Sequence, residues 1–169
     1  FSGGIDSPVA AHMMLKRGCT TDFLHFHVLP NQEQVHNSKV VAMANKVLSP
    51  HGLPARLYMA PVHPFQMAVL ELNSSLELVA FRRFVMRVAE KVAEQRRALA
   101  LVTGDNLGQV ASQTLQNLRV ISDAVEIPIL RPLVGFDKTE IIELAQQIDT
   151  YELSIQPYKD PCSLHASRP

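Results

Sequence analysis

Ser2-Gly3-Gly4-Ile5-Asp6-Ser7 runs directly into Pro8 to Arg17, an apolar stretch with helical character. The two glycines carry no Cβ, so the backbone can turn tightly and approach a ligand closely. The amides that follow, with the Ser2 and Ser7 hydroxyls, face the positive end of the coming helix, a natural cradle for phosphate. Asp6 suits an anion cradle only if a cation is shared, which points to Mg²⁺-bound nucleotide phosphate. The bland alternative is an ordinary Gly-Gly turn in which Asp6 or Ser7 caps a helix. All six residues in this order, ahead of an apolar helix, favour phosphate. No Gly-Lys-Ser/Thr is present, so this is not a loop in which a lysine follows the glycines to reach terminal phosphates.

The rest of the chain supplies a sheet for that loop. Pro8 to Arg17 reads as a helix stopped by Gly18. Thr20 to Leu29 reads as a buried strand with His25 and His27 near its carboxyl end, closed by Pro30. Glu33 to Leu48 reads as a second helix and Arg56 to Ala60 as a short strand, followed by a loop or short helix from Pro61 to Asn73. Glu77 to Arg97 is the longest helical stretch, with Leu78, Phe81, Val85, Val88 and Val92 on one face. At about 100° per residue, Arg82 lies at the edge of that stripe and is placed to lean toward a site. Arg83 points away, onto a solvated face with Arg87, Lys91, Glu90 and Glu94. Leu99 to Thr103 is an apolar strand, Gln109 to Leu118 a helix, and Ile127 to Leu130 another strand. Asp137 to Ile148 is a helix opened by a capping box of Asp137 and Glu140; from Ser154 onward the tail reads as loop. Alternating strands and helices predict an α/β fold, a doubly wound parallel sheet with helices on both faces.

Composition agrees. The chain has 169 residues, 47% hydrophobic and 19% charged, as in one globular domain able to bury a core. The formal net charge of zero argues neither for nor against nucleic acid. No apolar run has the length of a membrane span, and no signal peptide is recognisable. Cys19 and Cys162 lie far apart, without CxxC or Cys/His metal spacing. That fits a cytoplasmic, reducing compartment. His12, His36, His51 and His63 are scattered, which argues against zinc. A loop of this type follows a β-strand, so the chain is read as a fragment with its first strand truncated to Phe1.

In a doubly wound sheet the ligand lies beyond the carboxyl ends of the strands. Three segments qualify: the Ser2–Ser7 loop, His25-Phe26-His27, and Thr103-Gly104-Asp105-Asn106-Leu107-Gly108-Gln109, with Gln113 one helical turn further on. Gly104 and Gly108 could serve turn chemistry alone; beside the first loop they favour a nucleotide pocket.

The first loop resembles the PP-loop (Ser-Gly-Gly-x-Asp-Ser) of the ATP pyrophosphatases, which share the adenine nucleotide alpha hydrolase-like fold. That superfamily cleaves ATP between the α and β phosphates and places AMP on a carbonyl or carboxyl oxygen. It includes GMP, NAD, asparagine and argininosuccinate synthetases and several tRNA-thiolating enzymes. The stretch from Gly104 to Thr114 is more specific and is similar to the tRNA 4-thiouridine synthetase (ThiI) family. Ser2 to Ala10, His25-Phe26-His27, Arg82-Arg83, Arg131-Pro132-Leu133 and Asp137-Lys138 carry the same resemblance over essentially the whole chain. It implies a PP-loop catalytic domain over residues 1–169, with the family's N-terminal RNA-binding region and any rhodanese-like domain absent. The fragment alone is then expected to bind tRNA poorly and to be inactive.

By the same resemblance Ser2, Gly3, Gly4, Asp6, Ser7, Arg82, Gly104 and Gln113 bind ATP, while His25 and Phe26 flank the adenine mainly through backbone. Lys138 opposes the dipole of the helix it begins. It is either a solvated partner of Asp137 or Glu140 or a cation aimed at phosphate, and the resemblance favours the second. Cys162 sits in a proline-bounded loop near Lys159 and His165, neighbours that can lower a thiol pKa. An idle buried thiol is the alternative, whereas the resemblance makes Cys162 a participant in sulfur transfer. Its Asp-Pro-Cys-Ser setting departs from relatives carrying Asp-Cys-Cys or Tyr-Cys, which leaves no adjacent second thiol. Cys19 is read as structural. ATP and Mg²⁺ are the implied cofactors, with no protein metal site. The implied partners are tRNA, through regions missing here, and a cysteine desulfurase or other persulfide donor; a homodimer is allowed, and no membrane is involved. The activity implied is adenylation of a tRNA uridine followed by sulfur transfer to give 4-thiouridine, with a second role in thiamine thiazole sulfur supply. The rivals are another PP-loop AMP-forming synthetase or thiolase, and a nucleotide-binding module without chemistry.

Overall fold

A computed structural model describes residues 1–69, 74–108, 113–159 and 161. In chain order the elements are α1 (Asp6–Lys16), β1 (Phe23–His27), α2 (Gln32–His36), α3 (Lys39–Leu48), β2 (Leu57–Pro61) and α4 (His63–Ala68). They continue with α5 (Ser74–Arg96), β3 (Leu101–Val102), α6 (Leu115–Ser122), β4 (Ile129–Leu130), α7 (Lys138–Gln147) and α8 (Tyr151–Ser154). β1 pairs in parallel with β2, Phe23 opposite Leu57 and His27 opposite Pro61. β3 pairs in parallel with β4. The expected α/β character is therefore present, with the strands arranged as two parallel pairs.

Side-chain alternation along β1 places one core on each of its faces. Phe23 packs with Ala11 and Leu15 of α1 and Ala44 and Val47 of α3. Phe26, pointing the other way, joins Val62, Phe65 and Phe81 in an aromatic cluster under α4 and α5. A third core joins Val9 and Ala10 of α1 to Leu133 and to Ile141 and Ala145 of α7. α1 thus belongs to two cores at once, which anchors the loop that precedes it. Phe1 lies on the edge of β1 away from β2: its amino group donates to the Leu24 carbonyl at 2.8 Å, whereas the Phe23 N–H is used by Arg56 on the β2 side.

Four elements differ from the sequence reading. The single helix expected over Glu33 to Leu48 is broken into α2 and α3, because Ser38 is extended (φ −70°, ψ 149°). α2 has its own cap, the Asn31 side chain accepting from the Gln34 N–H. α6 begins at Leu115, later than the expected Gln109, because the Thr114 hydroxyl caps it by accepting from the Asn117 N–H; Gln109 to Ser112 fall outside the described residues. α5 is buried on two sides. Phe81 faces the aromatic cluster with Phe84, Val85 and Val88 beside it, while Met86 and Ala93 are buried on another side of the helix. Of the expected solvated face Arg87, Lys91 and Glu94 are exposed, whereas Arg83 and Glu90 are engaged. Arg83 donates to the Val120 carbonyl of α6, and the Glu90 carboxylate accepts from the Glu126 and Ile127 N–H groups ahead of β4. Cys19, read as structural, is exposed.

Candidate functional site

The Ser2–Ser7 loop is held open by its own serines. Ser7 Oγ accepts from the Ser2 N–H at 2.9 Å, and Ser2 Oγ accepts from the Gly4 N–H at 3.2 Å. Gly3 adopts φ +84°, a left-handed conformation that favours glycine. α1 starts at Asp6 with no side-chain cap, so the first-turn N–H groups, which have no partner inside any helix, face the loop. That combination is an anion cradle.

Two distant elements converge on it. α7 brings Lys138, whose ammonium donates to Asp6 Oδ1 at 2.9 Å. The predicted capping box is present: Asp137 accepts from the Glu140 N–H, and Glu140 accepts from the Asp137 N–H. Both carboxylates are thereby committed to backbone, and Lys138, half-exposed, reaches across to the loop. The second element is the turn after β3. A Cβ placed on Gly104 would lie 3.0 Å from both the Asp6 carbonyl carbon and the Ser7 backbone nitrogen. Glycine at 104 is what lets the two loops touch.

Behind Gly104 lies an ionic hub that the sequence reading did not single out. The Asp105 side chain, 5% exposed, accepts from Arg82, from the Thr103 hydroxyl at 2.8 Å and from Arg131 Nε at 3.3 Å. Burial pushes the carboxyl pKa up, but the Arg82 charge and hydrogen bond, with Thr103 and Arg131, outweigh it and hold the group below the usual carboxylate range. One buried carboxylate thus faces two guanidiniums beside the phosphate cradle. Arg82 leans over buried surface to this turn, as its angular position on the helix indicates. The available signal for Asp105 was a lone acidic residue at the end of an apolar strand, with arginines elsewhere as its only candidate counter-ions.

Gln113 is buried, and its Oε1 has no hydrogen-bond partner among the described residues. An orphaned buried acceptor costs roughly 1–3 kcal/mol, so the position suits a ligand donor. Its carbonyl accepts from the Gly108 N–H at 3.0 Å, which ties it to the same turn. The side chains of His25 and Phe26 both point into the protein. His25 is 1% exposed; its Nδ1 donates to the Phe1 carbonyl at 2.7 Å. Its Nε2 therefore accepts from the Tyr158 hydroxyl, also at 2.7 Å. Burial lowers the His25 pKa to about 4, against the raising effect of the Phe1 carbonyl, so the ring is neutral. With both side chains buried, a ligand could meet these two residues through their backbone.

Cys162 lies outside the described residues. His12 and His51, read as scattered, meet at 3.2 Å, yet no group of three or more His, Cys, Asp or Glu able to hold a metal occurs among the described residues. Nor is any described helix long and apolar enough to cross a membrane. The structure thus brings Ser2, Gly3, Gly4, Asp6, Ser7, Gly104 and Lys138 to one place, with Arg82 behind the Gly104 turn.

The family model described as "Thiamine biosynthesis protein (ThiI)" matches residues 1–169. The chain is 47% identical over 165 residues to a "Probable tRNA sulfurtransferase" of Caldanaerobacter subterraneus, covering 97% of this chain and 43% of the relative. A protein of the same description from Brevibacillus brevis is 49% identical over 165 residues, covering 97% and 41%. Among solved structures, a crystal structure of a 4-thiouridine synthetase–RNA complex with bound ATP superposes with a TM-score of 0.87 at 44% identity, covering 98% of this chain and 44% of that one. The chain spans less than half the length of these relatives.

Proposed function

The chain belongs to the ThiI family, and we propose that it is the ATP-using domain of a tRNA sulfurtransferase that makes 4-thiouridine. The observation that carries this reading is the meeting of the Ser2–Ser7 cradle, Lys138 and the Gly104 turn at one point. The relatives named as tRNA sulfurtransferases and the ATP-bound, RNA-bound structural neighbour supply its chemistry. In fold terms the two strand pairs would belong to one doubly wound sheet, with the cradle between the carboxyl ends of β1 and β3, where such sheets bind ligands.

In this reading ATP lies with its phosphates on the Ser2–Ser7 amides and Lys138. The adenine sits along the His25–Phe26 backbone, with Gln113 Oε1 offered to a donor such as its exocyclic amine. Arg82, held by Asp105, adds positive potential from behind. Mg²⁺ would be held chiefly by the phosphates with Asp6 as a carboxylate ligand, the usual way such sites use it, and would supply charge neutralisation. The O4 of the target uridine attacks the α phosphorus and pyrophosphate leaves, so O4 carries AMP. Charge growing on the phosphates is met by preorganised donors, commonly the largest contribution in such sites. The terminal sulfur of a persulfide then bonds to C4 and AMP departs. A second thiolate breaks the S–S bond, leaving the thiocarbonyl on the base and a disulfide on the protein that a dithiol reductant reopens. Cys162 would carry the persulfide or resolve it.

We place tRNA docking and delivery of sulfur by a cysteine desulfurase in regions beyond this domain, in a cytoplasmic protein that may be tested for homodimer formation. The family description supports a second use of the same sulfur in thiazole synthesis. The deciding experiment is ATP–pyrophosphate exchange and AMP release by the full-length protein with unmodified tRNA. Nucleotide binding without either would refute the enzyme reading in favour of a non-catalytic module. AMP transfer to an acceptor other than tRNA would favour another PP-loop synthetase.

A further inference from the structure

We propose that Lys39, His25 and Tyr158 form a latch that fixes residues 154–158 against the phosphate loop and couples the position of this tail to the state of the loop. The functional consequence, control of the segment leading to Cys162, rests on the sulfur-transfer reading above.

Lys39 is the first residue of α3, where a cation opposes the helix dipole. Its ammonium is instead spent on the tail, donating to the Ser154 carbonyl at 2.9 Å and the Gln156 carbonyl at 2.7 Å. These carbonyls lie at and just past the end of α8, where a cation satisfies otherwise unpaired acceptors. The same ammonium stands 5.6 Å from the centroid of the Tyr158 ring. Tyr158 in turn donates to His25 Nε2, whose opposite nitrogen is committed to the Phe1 carbonyl just ahead of the loop. The latch therefore runs from the tail, through one neutral imidazole, to the residue that enters the cradle.

The contact with the loop is direct as well. The space a Cβ would need at Gly3 is bounded by Val40 at 3.0 Å, Lys39 at 3.6 Å and Tyr158 at 3.9 Å. The Ser154 hydroxyl, which donates to the Thr150 carbonyl at 2.8 Å, also lies 3.5 Å from the Gly4 carbonyl. Tail and latch thus close on two consecutive glycines of the phosphate cradle. Residues 155–158 belong to no helix or strand, and a buried ring and a charge-assisted pair of bonds hold them in place. A nucleotide that shifts Gly3 or Gly4 must shift this packing, and by linkage a change in the tail must change nucleotide affinity by the same factor. Cys162 follows Tyr158 by four residues, and four residues of chain span at most about 14 Å. Tyr158 and Lys39 are accordingly positioning residues for sulfur delivery.

The test uses the full-length protein with ATP, unmodified tRNA, a cysteine desulfurase and cysteine. Tyr158→Phe keeps the ring against Gly3 and removes only the hydroxyl; Lys39→Met removes the carbonyl grip. In the double variant, which loses both charge-assisted bonds of Lys39 and the Tyr158–His25 bond, 4-thiouridine formed per AMP released should fall at least about tenfold, while ATP–pyrophosphate exchange at saturating ATP stays within about twofold. By hydrogen exchange, ATP should protect the amides of residues 154–158 in the parent and not in the double variant. Lys39→Arg, which retains two donors, should restore the yield. A double variant with parental yield and parental ATP-dependent protection would overturn the proposal. So would an equal loss of exchange and thiolation, which marks a purely structural role. Should Cys162→Ser still make 4-thiouridine, the sulfur-transfer role of Cys162 falls, and the amide-protection arm still decides the latch.

Discussion

Replacing Gly104 by alanine isolates the contact that joins the two halves of the site. The added Cβ would lie 3.0 Å from the Asp6 carbonyl carbon, 3.0 Å from the Ser7 nitrogen and 3.2 Å from the Asp6 Cβ. Favourable carbon contacts lie at about 3.5–4.0 Å, so the Gly104 turn and the start of α1 must separate by about half an ångström. Two of the three neighbours are main-chain atoms of a helix anchored in two cores, and no side-chain rotation can relieve them. Gly104 is not among the glycines at positive φ, so alanine suits its backbone and the effect is contact alone. Forcing a methyl into such a place costs about 1–3 kcal/mol, or roughly 2–12 °C in Tm for a domain of this size. Since a misplacement of about 1 Å can cost about 100-fold in a positioned site, ATP affinity should fall roughly tenfold. Gly135→Ala is the matched control, because nothing lies within 4 Å of its Cβ position. Both variants are to be compared by thermal unfolding and by titration calorimetry with ATP. If Gly104→Ala matches Gly135→Ala in both, the close approach is not what holds the cradle.

Asp6→Ala should abolish pyrophosphate release while shifting stability by less than about 1 kcal/mol, since its partner Lys138 is half-exposed; retained release would remove Asp6 from the chemistry. Asp105→Asn leaves two guanidiniums facing a neutral amide and should destabilise by about 3 kcal/mol, measured by urea unfolding, with weaker ATP binding; an unchanged midpoint would deny the hub. His25 binds fewer protons folded than unfolded between its buried value of about 4 and its ordinary 6.5. Its contribution is therefore complete above pH 6.5 and declines on acidification by about 1.4 kcal/mol per unit until pH 4. Denaturant titrations at pH 7, 6 and 5 that showed no such slope would contradict a neutral buried ring. Cys162→Ser should leave adenylation intact and stop 4-thiouridine formation in the full-length protein, read by AMP release and by nucleoside analysis of the tRNA.

Features legible in the sequence are those whose signal is local. The Ser2–Ser7 loop, the Asp137–Glu140 box and the apolar core of β1 each state their conformation within a few residues, and the structure has all three. Thr114 was also legible as a cap, since Leu115, Leu118 and Ile121 follow at helical spacing; the glycine-rich turn before it drew the helix start too early. The break at Asn37-Ser38 is a weaker local signal, because two short polar residues compete with the helix for backbone hydrogen bonds inside an otherwise continuous apolar period. The two buried faces of α5 could not be separated in advance. Its polar residues Arg83 and Glu90 are satisfied by α6 and by the chain before β4, partners that sequence spacing does not reveal.

The basic residues make the same point from the side of function. Lys39 and Lys138 each begin a helix, where a cation is unfavourable, and in each case the structure resolves the conflict by sending the ammonium to a segment more than a hundred residues away. A lysine at the wrong end of a helix is thus a readable anomaly, while its destination is not. For Lys138 the destination is Asp6, so the cation that an acidic residue in an anion cradle requires is already partly supplied by the protein. When triphosphate enters, the ammonium has two competing anions within reach, and Asp6 is released in proportion as Lys138 turns to phosphate. In titrations with ATP free of Mg²⁺, Lys138→Met should therefore lose more than one phosphate contact: it leaves Asp6 repelling the incoming charge. At low ionic strength its effect on ATP affinity should exceed that of Asp6→Ala and shrink as salt is raised. A Lys138→Met, Asp6→Ala double variant that binds ATP better than Lys138→Met alone would establish that repulsion; equal or weaker binding would dismiss it.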